Sequence, residues 1–171
     1  MHSGERLMFI IRIIILLIFP LIFSCAGGNH SSWAPYSFDG NNLSPANSTS
    51  SNAIWVQSGY LPITSNPTFD SMPSDRLPHG TGAVAGICYI QATGGKISRH
   101  NSFAPLPDEQ ITFKGKTGET ATSKTDINGY FTEHLTAGDY ELFCRGARAE
   151  FTVKSGETTL VPVRGGKRMA D

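Results

Sequence analysis

Three features of this 171-residue sequence predict an all-β fold, a seven-stranded antiparallel β-sandwich over residues 82–164. Turn-forming residues recur at short intervals, in Lys114-Gly115-Lys116-Thr117-Gly118, Asp126-Ile127-Asn128-Gly129, Ala137-Gly138-Asp139 and Ser155-Gly156. Between the turns lie short runs rich in β-branched and aromatic residues. Within the runs apolar side chains fall on alternate positions, as with Tyr140 and Leu142 or Phe151 and Val153. Short strands packed this densely in sequence favour two stacked sheets.

The chain before the sandwich divides into a leader and a tether. Arg6 and Arg12 precede the apolar run Ile13 to Phe23, which ends at Ser24-Cys25. A basic start, an apolar core and small residues at the end describe a signal peptide over residues 1–24. The stretch Ile22-Phe23-Ser24-Cys25-Ala26 resembles the lipobox of bacterial lipoproteins, with Phe23 bulkier than the pattern usually carries. The resemblance implies cleavage before Cys25, a diacylglycerol thioether on its sulfur, and further acylation such as palmitate. Several acyl chains at ~0.8 kcal/mol per buried CH₂ hold a protein on a membrane without a spanning helix. A cleaved soluble secretory protein and an uncleaved signal anchor are the alternatives. The latter would be short for a bilayer and broken at Pro20. By the same analogy, Ala26 in place of Asp implies the outer membrane of a Gram-negative envelope, on either face.

Residues 25–81 read as a flexible Ser/Asn/Pro-rich tether. Between Ala26 and Asp75 there is no Lys, Arg or Glu, and apolar residues are too sparse to offset the entropy of ordering. A coil of about 50 residues would reach some 40 Å. Yet Trp33, Trp55, Tyr36, Phe38, Tyr60 and Phe69 all lie here. Either such segments dock on the domain, or they are incidental stickers in a disordered segment, or Trp33, Trp55 and Tyr60 belong to a linear motif that binds an envelope protein.

The predicted strands follow in order. Ala83 to Ile90 is the first, with Val84, Cys88 and Ile90 on one face. A long loop from Gln91 to Asp108 is a candidate functional excursion. Glu109 to Phe113 is the second, with Ile111 and Phe113 inward, and Glu119 to Thr125 is a polar edge. The stretch Thr125 to Leu142 supplies two strands after turns at Gly129 and Gly138. Glu150 to Lys154 and Thr158 to Val163 close the sandwich. Residues 165–171 show no pattern and are expected to fray.

Taken in order, Gly82-Ala83-Val84-Ala85-Gly86, Pro105-Leu106-Pro107, Thr125-Asp126 with Gly129 and Phe131, then Leu135, then Gly138-Asp139-Tyr140-Glu141-Leu142 resemble the carboxypeptidase regulatory-like domain. That family has a transthyretin-like sandwich. The resemblance spans residues 82–164 and implies a non-catalytic module that acts as spacer or contact surface. The long 91–108 loop and the polar Glu133-His134 depart from the family pattern.

Three cysteines less a lipidated Cys25 leave Cys88 and Cys144. An even pair in an exported domain favours a disulfide, and both side chains fall on the core face of their strands. The closed loop would stabilise by roughly 3–4 kcal/mol; two unpaired buried thiols are the alternative. Gly115-Lys116-Thr117 lacks the earlier glycine of a phosphate loop, and Asp126-Ile127-Asn128-Gly129 lacks the remaining ligands of a calcium loop. His79, His100 and His134 have no zinc spacing, and no nucleophile, base and orienter stand out. No catalytic residue, cofactor or metal site is therefore expected. With 14 basic and 14 acidic residues, no global field favours nucleic acid. The sequence thus predicts a lipid-anchored envelope protein with a non-catalytic binding or structural module, an accessory subunit of an envelope assembly. A carbohydrate- or peptidoglycan-binding module is the alternative.

Overall fold

A computed structural model describes residues 33–47, 49–50, 52–64, 75–93 and 102–169, all within one compact unit. The predicted leader, Cys25 and His100 lie outside the described residues. Every regular element described is a strand: β1 (Ala34–Phe38), β2 (Leu43–Pro45), β3 (Ile54–Val56), β4 (Thr81–Thr93), β5 (Ser102–Pro105), β6 (Gln110–Gly115), β7 (Thr120–Lys124), β8 (Tyr130–Thr136), β9 (Gly138–Cys144), β10 (Ala147–Val153) and β11 (Thr158–Met169).

The fold is a β-sandwich with a third, smaller layer. One sheet runs β10-β9-β6-β7, with polar β7 at its edge as the sequence predicts. The middle sheet is centred on β4. One side of β4 pairs with β11, and the other pairs first with β8 and then with β5. Between these sheets lies the main core, which includes Val84, Ile111, Phe113, Phe131, Leu142, Val153 and Val163. The predicted inward positions of β4, β6 and β9 are therefore the observed ones.

The third layer, order β2-β1-β3, shows that the described residues 34–56 of the predicted tether dock on the domain as strands, the first of the alternatives given above. The reason lies in β4, where every residue from Gly82 to Tyr89 is buried. Val84 and Cys88 face the main core, while Ala85, Ile87 and Tyr89 face the other way and join Tyr130, Phe38 and Ile54 in a second cluster. An apolar face on each side of a strand needs a cover on each side. Phe38 provides part of it through ring contacts with Tyr89 at 4.5 Å and Phe103 at 4.7 Å. Burial of these side chains offsets the ordering entropy that sparse apolar composition alone could not. The β1–β2 turn is made locally: Asp39 Oδ1 accepts hydrogen bonds from Asn41 N at 2.8 Å and Asn42 N at 2.7 Å.

Three further expectations change. β11 pairs with β4 in parallel, not antiparallel; the two are far apart in sequence, which leaves room for the crossover a parallel pair needs. Residues 165–169, expected to fray, continue β11 after a bulge between Arg164 and Lys167 and pair as far as Met169 with Thr93. Gly166, at φ 127°, supplies the backbone that this bulge requires. Finally, the predicted 91–108 loop begins with the end of β4 and ends in β5, which pair antiparallel. The C-terminal part of long β4 thus finds partners that short-range pattern did not reveal.

Candidate functional site

Cys88 and Cys144 form a disulfide with a Cα–Cα separation of 6.8 Å. Both are fully buried. Since Cys88 sits on β4 and Cys144 on β9, the bond joins the two sheets across the main core. Cys88 also marks the point where β4 changes partners. Its amide donates to the Gly129 carbonyl at 2.9 Å, and its carbonyl accepts from the Leu106 amide at 2.9 Å. Gly129 has φ 75°, and a Cβ there would stand 2.7 Å from the Cys88 carbonyl oxygen. Asp126 serves this turn through Oδ1, which accepts from the amides of Asn128 at 2.8 Å and Tyr130 at 2.9 Å. It is a turn former.

Of the three aromatic residues considered for partner contact, the structure brings two together and removes the third. Trp55 is 1% exposed, clamped by reciprocal backbone bonds with Ile63 at 2.7 and 3.0 Å. It cannot serve as an outer contact. Trp33 and Tyr60 are half-buried neighbours with ring centroids 6.0 Å apart. Arg76, exposed, lies 5.6 Å from the Tyr60 ring centroid, in the range of a cation–π contact. Backbone bonds fix this group: Tyr60 bridges Arg76, Leu77 N donates to Gly59 O at 2.9 Å, and Gly59 N donates to Gly156 O at 2.8 Å. The cluster is thus seated on the sandwich. Sequence reasoning missed Arg76, although it is the first Lys or Arg after Arg12.

A second candidate surface is the outer face of the β10-β9-β6-β7 sheet. Phe143 projects there, with Thr112 and Arg148 opposite it on the flanking strands. Lys114 Nζ lies 5.0 Å from its ring centroid. Beside it is an open cleft of about 540 Å³ lined by Lys114, Lys116, Asp139, Glu141, Glu150 and Thr152, among others. Thr152 Oγ1 donates to Asp139 Oδ1 at 2.7 Å, and Lys116 Nζ lies 3.2 Å from Asp139 Oδ2. These bonds, the Thr152 hydroxyl first, hold the Asp139 carboxyl below the ordinary range. Near neutral pH it is a hydrogen-bond acceptor and not a proton donor. Arg148 pairs with Glu141 at 3.7 Å. The face can offer one aromatic ring and fixed polar groups. Sequence reasoning placed Tyr140 and Leu142 inward but did not use the corollary that Phe143 must point out.

Among the described residues no three His, Cys, Asp or Glu side chains are grouped to hold a metal ion. His134 lies 3.4 Å from Glu133, and His79 is exposed.

No family model matches the chain, and no curated protein does. Some solved structures match the chain at low similarity. A Pseudomonas aeruginosa protein provisionally described as carbohydrate-binding is 14% identical at a TM-score of 0.40, over 53% of this chain and 90% of that one. The minor pilin of Streptococcus agalactiae is 14% identical at 0.41, over 75% and 66%. The Bacillus anthracis TIE protein is 14% identical at 0.39, over 80% and 31%.

Proposed function

We propose that the chain is a lipid-anchored envelope protein whose sandwich, of the transthyretin-like kind that residues 82–164 resemble, works as a non-catalytic binding or structural module. It would be anchored through Cys25 in an outer membrane and serve as an accessory subunit of an envelope assembly. The observation that supports this most is the interior Cys88–Cys144 bond. Such a bond forms and persists in an oxidising compartment, which agrees with a leader that ends at Ser24-Cys25. Metabolic labelling with a clickable palmitate analogue tests the anchor. Wild type should label and Cys25→Ala should not; a labelled Cys25→Ala or an unlabelled wild type sinks the reading.

A second reading, a carbohydrate- or peptidoglycan-binding module, is favoured by Phe143. An aromatic ring on an open sheet face, framed by Lys114, Arg148 and acidic side chains, suits stacking on a sugar with hydrogen bonds to its hydroxyls. Retention of the protein on insoluble peptidoglycan, lost in Phe143→Ala, would favour it over a protein partner.

A further inference from the structure

We propose that Trp33, Tyr60 and Arg76 form a membrane-contact patch that seats the folded unit in the headgroup layer of the bilayer to which Cys25 is attached. The inference rests on the lipid-anchor reading and adds to it an orientation and a binding surface. It begins with chain length. Because β1 starts at Ala34, the leash is not 50 residues long. From Cys25 to Trp33 there are 33 − 25 = 8 Cα–Cα steps, which span at most about 29 Å however they run. The surroundings of Trp33 would therefore be tethered within that distance of the lipid.

What surrounds it has the chemistry of a membrane interface. Trp and Tyr concentrate at the headgroup level because an apolar ring and a polar tip suit a zone that is half wet. A guanidinium contributes donors for phosphate oxygens. Trp33 and Tyr60 are only half-buried at 6.0 Å from one another, and Arg76 completes the group. The backbone bonds to Gly156 and Leu77 give the patch a rigid base, so ring insertion would orient the whole sandwich. The charges argue for an aromatic mode of contact. Asp75 stands exposed beside Arg76, so the patch has little net charge, and anionic lipid should add little.

The test uses the lipidated protein in phosphatidylcholine vesicles with and without phosphatidylglycerol. A Trp55→Phe substitution leaves Trp33 as the sole indole. Trp33 emission should be quenched by labels placed near the headgroup, about equally in the two vesicle types. Tyr60→Ala and Arg76→Ala should each lower the quenching, with mass spectrometry confirming acylated Cys25 throughout. Acylated protein whose Trp33 is not quenched at any depth overturns the patch while leaving the anchor intact. Absence of acyl mass on Cys25 overturns both. A photo-crosslinker at position 33 that captures a protein in cells, and no lipid, also overturns the patch in favour of a protein partner.

Discussion

Ile54→Ala asks whether the N-terminal segment belongs to the fold. Ile54 is fully buried in the second cluster, against the β4 face that carries Ala85 and Ile87. The substitution removes three carbons, a transfer loss of about 2.4 kcal/mol at ~0.8 kcal/mol per carbon. The cavity left against β4, a strand held on both edges, raises the total to about 3–4 kcal/mol. With a urea slope of about 2 kcal/mol per M, the midpoint should fall by roughly 1.5–2 M. The two Trp residues of the chain are Trp33 and Trp55, so indole emission reports on this segment alone while far-UV circular dichroism reports on all sheets. In the oxidised Cys25→Ala chain the two probes should trace coincident transitions. Ile54→Ala should move the emission transition by the stated amount. Native emission typical of fully hydrated indole, or a midpoint that Ile54→Ala leaves unmoved, would refute the claim that the second face of β4 orders residues 33–63.

Removing the disulfide with Cys88→Ala and Cys144→Ala should lower stability by about 4 kcal/mol, given a sequence separation of 56; a denaturant-measured loss under about 1 kcal/mol contradicts the value. Gly86→Ala should cost about 3 kcal/mol or more, since its Cβ would meet the Val161 carbonyl oxygen and stand 2.5 Å from the Phe131 ring. Gly138→Ala is the control, because its Cβ would meet only Tyr140 at an ordinary 3.8 Å; equal losses at the two sites would refute the packing argument. Asp139 has a folded-state pKa below its ordinary value. Its contribution is therefore present above about pH 3.9 and lost as pH falls through the lower folded value. The stability advantage of wild type over Asp139→Asn should hold steady near neutral pH and shrink below about pH 4; an advantage that grows on acidification contradicts the assignment.

The sandwich was largely legible because its signals are local. Alternation put Ile111, Phe113, Tyr140 and Leu142 inward, and all four are buried. The Asp126 and Gly129 turn was readable because Asp accepts from nearby amides and Gly takes positive φ. Pairing partners were not legible. The parallel β4–β11 ladder links residues some 75 apart in sequence, and no turn chemistry announces such a contact. The 165–169 strand and β5 were missed for the same reason: each is ordered by β4 and not by its own pattern. Of the candidate residues, Cys88 and Cys144 were found from export and face. Trp33 and Tyr60 were singled out, but their grouping with Arg76 depends on a bridge between distant segments.

The continuous apolar run from Ala83 to Ile90 held more information than the alternation used to read it. A strand with one wet face alternates, whereas this run has no polar position at all, and such a strand is covered on both sides. Seven strands can form two layers and cover one side of it. The second cover must come from elsewhere in the chain, and the residues from Trp33 to Tyr60 hold an aromatic reserve outside the predicted leader and the sandwich. The excess of aromatics in an apparent tether and the excess of apolar residues in one strand are thus two halves of one interface. Phe38 and Ile54 meet Ile87 and Tyr89 there.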